Sequence, residues 1–387
     1  MRAHGNLRCG IGAGAARLSW AAEPAITAFM SPKATETSTA PMPAGNVRAL
    51  RLWLGCIAFL IVAMILVGGA TRLTDSGLSI TEWQPIVGAI PPLSDGDWQE
   101  AFEAYKQIPE YTQVNKGMSL SAFKRIYWWE WAHRFLGRFI GLAFFVPFVS
   151  FWAAGYIPRP LMPKLIGLFM LGGLQGALGW YMVKSGLVDR VDVSQYRLAA
   201  HFGLAVAILG YTLWLLLGLS ERQAARGGAP AIVAWLVLLL IFVQLLSGAL
   251  VAGIDGGLGF NTWPLLNGAF IPSGLGEASP WYLNLFENPL TVQFDHRMLG
   301  YAVVVATVLQ AIWLAVRGHQ TLVGSAATLA VLSVLQATLG VWTLLLAVPL
   351  ELGLAHQAGA ILVFAAALYH AWLAGHEPAE AQTAASA

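Results

Sequence analysis

Eight stretches of about 20 mostly apolar residues, at 51–71, 131–154, 162–183, 197–219, 230–252, 291–316, 321–346 and 350–374, decide what this chain can become. Each is long enough to cross the hydrocarbon core of a bilayer as an α-helix, the form that satisfies every backbone polar group within its own segment. A soluble core cannot absorb so much apolar helix. Hydrophobic residues make up 57% of the chain and charged residues 11%, with a mean hydropathy of +0.63. The sequence therefore predicts an all-α membrane protein of eight transmembrane helices.

The connections set the orientation. Arg48 and Arg51 precede the first span, Arg159 and Lys164 lie in the second connection, Arg222 and Arg226 in the fourth, and Arg317 in the sixth. By the positive-inside rule these mark the cytoplasmic or matrix side, and an even number of spans puts both termini there. The connection 252–291 carries Asp255, Glu277 and Glu287 without Lys or Arg, and 72–130 has an acidic excess, so both face outward. With a net charge of only +2 and no basic run, no nucleic-acid surface is indicated. Residues 1–50, rich in Ala, Pro, Ser and Thr, read as a disordered tail. Arg2, Arg8 and Arg17 also fit a transit peptide, and Met30 an internal start. Residues 376–387 form a second featureless tail.

The chain repeats itself. Asp75, Gly77, Leu78, Trp83, Gly88 and Pro92 after the first span match Asp255, Gly257, Leu258, Trp263, Gly268 and Pro272 after the fifth, each offset by 180 residues. Leu174-Gln175 with Leu178-Gly179 matches Leu335-Gln336 with Leu339-Gly340, and His133-Arg134 with Leu136-Gly137 matches His296-Arg297 with Leu299-Gly300. Leu198-Ala199-Ala200-His201 resembles Leu354-Ala355-His356. Two tandem four-helix bundles follow, 51–220 and 221–375, related by pseudo-two-fold symmetry along the membrane normal. Gly137-x-x-x-Gly141 and Gly172-x-x-x-Gly176 read as helix-packing motifs.

Four of the eight histidines, His133, His201, His296 and His356, begin the helices that run inward, and so lie at similar depth below the outer surface. His4, His319, His376 and His370 fall in tails, a loop or a span end, and read as solvated or interfacial. A polar side chain inside a span is costly, and four at one depth, duplicated by the repeat, read as ligands. Zinc would want four ligands in one tetrahedron, with Cys or carboxylate partners that are scarce here. Two imidazoles per half suit a porphyrin, which supplies the other four nitrogens. The two cysteines, Cys9 and Cys56, form no C-x-x-C-H, so such a haem would be held by coordination alone. Arg134 and Arg297, next to the ligands, either pair with haem propionates or snorkel to the interface, and the helix N-termini would add positive potential there.

The halves differ at one chemically telling position: Glu130 precedes His133 by three residues, whereas Gln293 precedes His296. Glu130 reads either as a base, proton relay or charge stabiliser, or as an interfacial glutamate capping the first helical turn. Trp128, Trp129 and Trp131 beside it read as an aromatic belt or as a wall for a flat ligand.

Gly68-Gly69-Ala70-Thr71-Arg72-Leu73-Thr74 with Asp75-Ser76-Gly77-Leu78-Ser79 and Glu82-Trp83 resembles the haem A synthase family of cytochrome oxidase assembly. The resemblance continues through Glu130-Trp131-Ala132-His133-Arg134, Asn261-Thr262-Trp263-Pro264, His296-Arg297 and His356-Gln357, and spans about residues 50 to 374. It implies an enzyme that oxidises the C8 methyl of haem O to a formyl by successive hydroxylations, through haem I. It makes His296 and His356 the axial ligands of a resident haem b, and His133 and His201 the site where haem O is handled, with Glu130 important for turnover. Some relatives carry a cysteine pair in the outer loop; 72–130 has none, which places the chain nearer the branch that includes the mitochondrial enzymes. The partners implied are haem O, membrane lipid and an electron donor such as ferredoxin or quinol. The haem O synthase and a homo-oligomer are further candidates. The membrane is the bacterial inner membrane or, alternatively, the mitochondrial inner membrane. A bis-histidine cytochrome b carrier and a haem chaperone without catalysis are the rival functions.

Overall fold

The computed structural model describes residues 43–84, 86–220, 223–224 and 228–377. Eight helices among them are long and apolar enough to cross a membrane: span 1, Ala44–Leu73; span 2, Leu120–Ala153; span 3, Met162–Asp189; span 4, Gln195–Leu217; span 5, Ala229–Gly253; span 6, Pro289–Val316; span 7, Gln320–Leu345; and span 8, Leu350–Ala374. Proline in the first turn, where a missing N–H costs nothing, starts spans 3, 5 and 6. Side-chain caps from Ser119 and Asn288 open spans 2 and 6. The chain is a multi-pass membrane protein.

Span 1 reaches back to Ala44, so residues 44–50 are helical and not part of a tail; Val47 and Leu50 continue the apolar run, and Leu50 is fully buried. Residues 1–42 of the predicted N-terminal tail lie outside the described residues, as do 378–387. His376–Glu377, at the start of the predicted second tail, pairs antiparallel with Gln223–Ala224.

Span 1 packs on spans 2 and 4, and span 3 on spans 2 and 4. In the same way span 5 packs on spans 6 and 8, and span 7 on spans 6 and 8. Spans 1, 4, 5 and 8 meet in the middle, where Leu54, Ile61, Val206, Leu209, Ile241, Phe364 and Ala367 form the core. Spans 2 and 3 turn Leu142, Trp152 and Met170 outward, each more than half exposed. Water would not tolerate such a face; lipid is its solvent. Gly141, Gly172 and Gly176, expected as helix-packing positions, pack on nothing within this chain: none has a side chain or foreign backbone within 4 Å of where a Cβ would stand.

The connection after span 1 folds into a small outer layer. Helices Asp95–Tyr105, opened by a Ser94–Asp97 capping box, and Pro109–Gln113 pack Trp98, Phe102, Tyr105 and Ile108 against Phe123, Tyr127 and Val193. Span 2 begins at Leu120 because its outer end is a wall of this layer. At the outer ends of spans 1 and 5 the repeat survives in the backbone: Asp75 and Asp255 both turn left-handed, with φ of 48° and 52°, a conformation aspartate adopts more readily than most residues. Both carboxylates accept from Arg72, at 2.8 Å each, and Asp192 joins them at 2.9 Å. Arg72 Nε also donates to Ala252 O at 3.0 Å, tying span 1 to span 5.

Candidate functional site

Each of the four histidines is seated by the helix before it. A Cβ on Gly68, Gly179, Gly248 or Gly340 would stand 2.9, 2.9, 3.1 or 2.7 Å from Cε1 of His133, His201, His296 or His356 respectively. Real Cβ atoms essentially never come as close as the distances at Gly68, Gly179 and Gly340, and that at Gly248 is tighter than most, so the four glycines are notches for the rings. Spans 1, 3, 5 and 7 thus present a glycine to the histidine of the following span. All four rings are half-buried.

Four residues before three of these notches stands a glutamine, on the same face of its helix. Gln175, Gln244 and Gln336 donate to the backbone carbonyls of His201, His296 and His356, at 3.0, 3.1 and 2.8 Å. Each also approaches the ring: Gln336 Nε2 lies 2.9 Å from His356 Nδ1, Gln244 Nε2 3.2 Å from His296 Nδ1, and Gln175 Nε2 3.4 Å from His201 Nε2. His296 has one more partner, Ser247 Oγ at 2.8 Å from Nδ1. Ser247 also donates to Gln244 O at 2.8 Å, which leaves its oxygen able to accept a proton from Nδ1. In span 1 the position four before the notch is Met64. The Nδ1 atoms of His133 and His201 are buried and without a hydrogen-bond partner.

The ring centres of His133 and His201 are 6.5 Å apart. A metal ion bound by imidazole sits about 2.0–2.1 Å from each nitrogen, and with ~1.1 Å from nitrogen to ring centre two trans ligands need about 6.3 Å. The pair therefore fits one iron between two imidazoles. Among the described residues no three His, Cys, Asp or Glu side chains converge as a metal site.

Glu130 is 3% exposed and held at both oxygens. Oε2 accepts from Ser79 Oγ and from Ile80 N, both at 2.7 Å; Oε1 accepts from Arg134 Nε at 3.0 Å and Nη2 at 2.5 Å. This overturns the capping reading: the helix starts at Leu120, so Glu130 lies well beyond its first turn. For the same reason no helix N-terminus lies next to His133, since the dipole's influence falls off within a turn. Arg134 also donates to Ile80 O at 2.7 Å and Glu82 O at 3.0 Å, so its guanidinium is committed to protein. Arg297 differs. Its Nη2 donates to Gln293 Oε1 at 2.9 Å and Phe260 O at 3.1 Å, while Nε and Nη1 are buried without partners. Gln293 Nε2 donates to Gly256 O at 2.6 Å and Phe260 O at 3.2 Å, copying in neutral form the loop contacts of Glu130.

Trp128 packs on Trp98 of the outer layer, and Trp131 stacks on Phe135 at 5.0 Å, so this group braces the outer layer against span 2. Within that layer Glu110, 4% exposed, accepts from Tyr105 Oη at 3.1 Å and Asn115 Nδ2 at 3.2 Å, with Oε2 unpartnered. Burial pushes its carboxyl up to about 8; the Tyr105 hydrogen bond opposes this and the Glu130 carboxylate adds to it.

Three features escaped the sequence reading. The glutamine-x-x-x-glycine spacing was available in spans 3, 5 and 7, but only the glutamines at 175 and 336 stood out, as marks of the repeat. Glu110 carried no signal, because its burial comes from chain remote in sequence. His370, expected to be solvated or interfacial, is 1% exposed. It lies between Ser325 Oγ, 2.8 Å from Nδ1, and Gln310 Nε2, 3.0 Å from Nε2, because spans 6 and 7 bring polar groups to its level.

Fold and site together define a polytopic membrane protein in which His133 and His201 are paired across spans 2 and 4. The chain belongs to the COX15-CtaA family of cytochrome oxidase assembly proteins, whose model matches residues 51–368. It is 55% identical to the haem A synthase of Parvibaculum lavamentivorans over 84% of this chain and 94% of that one. It is 49% identical to the haem A synthase of Chelativorans sp., covering 87% and 95%, and 50% identical to that of Nitrosospira multiformis, covering 86% and 97%.

Proposed function

We propose that the chain is a haem A synthase, an oxidoreductase that converts haem O to haem A by oxidising the C8 methyl to a formyl through haem I. The observation that carries this reading is the difference between two otherwise matching histidine sites: a buried, fully hydrogen-bonded carboxylate, Glu130, beside His133, where the other site has the neutral Gln293. The names of the relatives support it.

The chain is organised as two tandem four-helix halves, 51–220 and 221–375, related by a pseudo-two-fold axis along the membrane normal. His296 and His356 hold haem b, which when bound supplies one-electron transfer. Arg297, with Nε and Nη1 unpartnered, meets a propionate of that haem. His133 and His201 hold the haem O substrate. Glu130 accepts protons released as the methyl is oxidised, and Arg134, rather than pairing with a propionate, fixes that carboxylate against the loop at Ile80 and Glu82. The membrane is the bacterial inner membrane with both termini cytoplasmic, in line with the placement of Arg48, Arg159, Arg222 and Arg317. The oxidation consumes an external oxidant, and an electron donor such as ferredoxin or quinol is the candidate redox partner that supplies electrons alongside it; the haem O synthase and a second copy of the chain are the candidate neighbours.

Pigment extraction from membranes supplied with haem O tests this. Haem I and haem A are expected from the native chain. Glu130→Ala is expected to lower product formation by about 10²–10⁴-fold, the range of a lost acid–base group, with the resident haem spectrum kept. His296→Ala or His356→Ala is expected to abolish that spectrum. Full activity in Glu130→Ala would remove its catalytic role, and haem returned unaltered by the native chain would favour a cytochrome b carrier or a haem chaperone.

A further inference from the structure

Gln175, Gln244 and Gln336 each stand four residues before a histidine-seating glycine; the fourth member of the set is Met64, four before Gly68. Met64 also takes the place of Gln244 in space. A Cβ on Gly137 of span 2 would lie 3.1 Å from Met64 Cε, and a Cβ on the matching Gly300 of span 6 would lie 3.4 Å from Gln244 Nε2. The position of Ser247, the second partner of His296, is Val67 in span 1. His296 therefore has a hydroxyl oxygen at its Nδ1, while for His133, its repeat counterpart, the matching span 1 positions are Met64 and Val67, which offer no such acceptor, and its Nδ1 is orphaned.

We infer that this substitution of Met64 and Val67 for a Gln–Ser pair makes His133 the releasable ligand of the protein, and that Gln244 and Ser247 are positioning residues that make the haem at His296 and His356 permanent. A ligating histidine that donates its second N–H to an acceptor is fixed in tautomer and orientation and is the more basic ligand; loss of such a partner weakens metal affinity by about 10–100-fold. A site whose haem arrives as substrate and leaves as product needs a ligand that lets go, and a site that passes electrons on every turnover needs one that does not. The inference rests on the proposed reading of His133 and His201 as the substrate site.

The test uses the full chain in detergent, loaded with iron protoporphyrin IX at both pairs, and follows capture of haem by excess apomyoglobin. Two phases are expected, the fast one missing from His133→Ala. Met64→Gln with Val67→Ser is expected to slow the fast phase by about 10–100-fold, and Gln244→Met with Ser247→Val to quicken the slow phase by the same factor. A single phase in the native chain, or phases that both double exchanges leave within threefold of native, would overturn the inference. Should a double exchange fail to fold, Val67→Ser or Ser247→Val alone is read by the same criterion with a threefold change as the threshold. Haem A formation is scored separately. Unequal release without haem A keeps the inference and removes the proposed function, whereas haem A with equal release removes the inference alone.

Discussion

Replacing Glu110 by glutamine is expected to remove a pH dependence from the outer layer. Glu110 is buried behind Tyr105, Phe123 and Asn115, with one oxygen unpartnered, and burial pushes its carboxyl up to about 8. Tyr105 and Asn115 bond to it, and the carboxylates of Glu130, Asp192 and Asp75 act on it from neighbouring elements; each of the three raises it. In an opened chain the same group ionises near the ordinary glutamate value of about 4.3. Between those two values folding takes up one proton, so stability falls as pH rises, by about 1.4 kcal/mol per pH unit, and the contribution is lost once pH exceeds the folded value. Hydrogen exchange reads this directly. Protection factors for amides in Asp95–Tyr105 and Pro109–Gln113, corrected for intrinsic exchange, should fall about tenfold per pH unit from pH 6 to pH 7.5 in the native chain. In Glu110→Gln, a neutral group of the same shape, they should be flat across that range. An equal slope in the two proteins would refute the assignment of the proton to Glu110.

The glycine notches give a prediction about haem retention. Gly340→Ala or Gly248→Ala puts a methyl 2.7 or 3.1 Å from the ring it seats, and should lower or shift the resident haem absorbance, while Gly68→Ala should leave that band and reduce haem O turnover. His370→Leu strands the buried Gln310 amide and Ser325 hydroxyl, and should cost about 1–3 kcal/mol, read as a lower thermal midpoint with the haem spectrum unchanged. A shifted spectrum would mean that this inner cluster communicates with the haem ligands.

What the sequence determines by itself is whatever depends on chain composition along one segment. Apolar runs fix the number of spans and most of their ends to within a few residues, and the repeat names the four histidines and the Glu130–Gln293 difference before any coordinates are known. Span 2 departs furthest, because residues 120–130, most of them polar or aromatic, are helical where they pack on the outer layer, and span 1 and span 3 also run several residues beyond their apolar runs. Tertiary structure alone decides where polar side chains point. A position next to a ligand gives Arg134 and Arg297 the same reading, yet Arg134 is turned onto Glu130 by carbonyls of Ile80 and Glu82, more than fifty residues away. Arg72 gathers Asp75, Asp192 and Asp255 from three separate connections. In a low-dielectric interior an unpaired polar group is expensive, so each such group takes whatever partner the packed helices bring to its level. Which partner that is depends on helix rotation and depth, and these are set by contacts between spans remote in sequence.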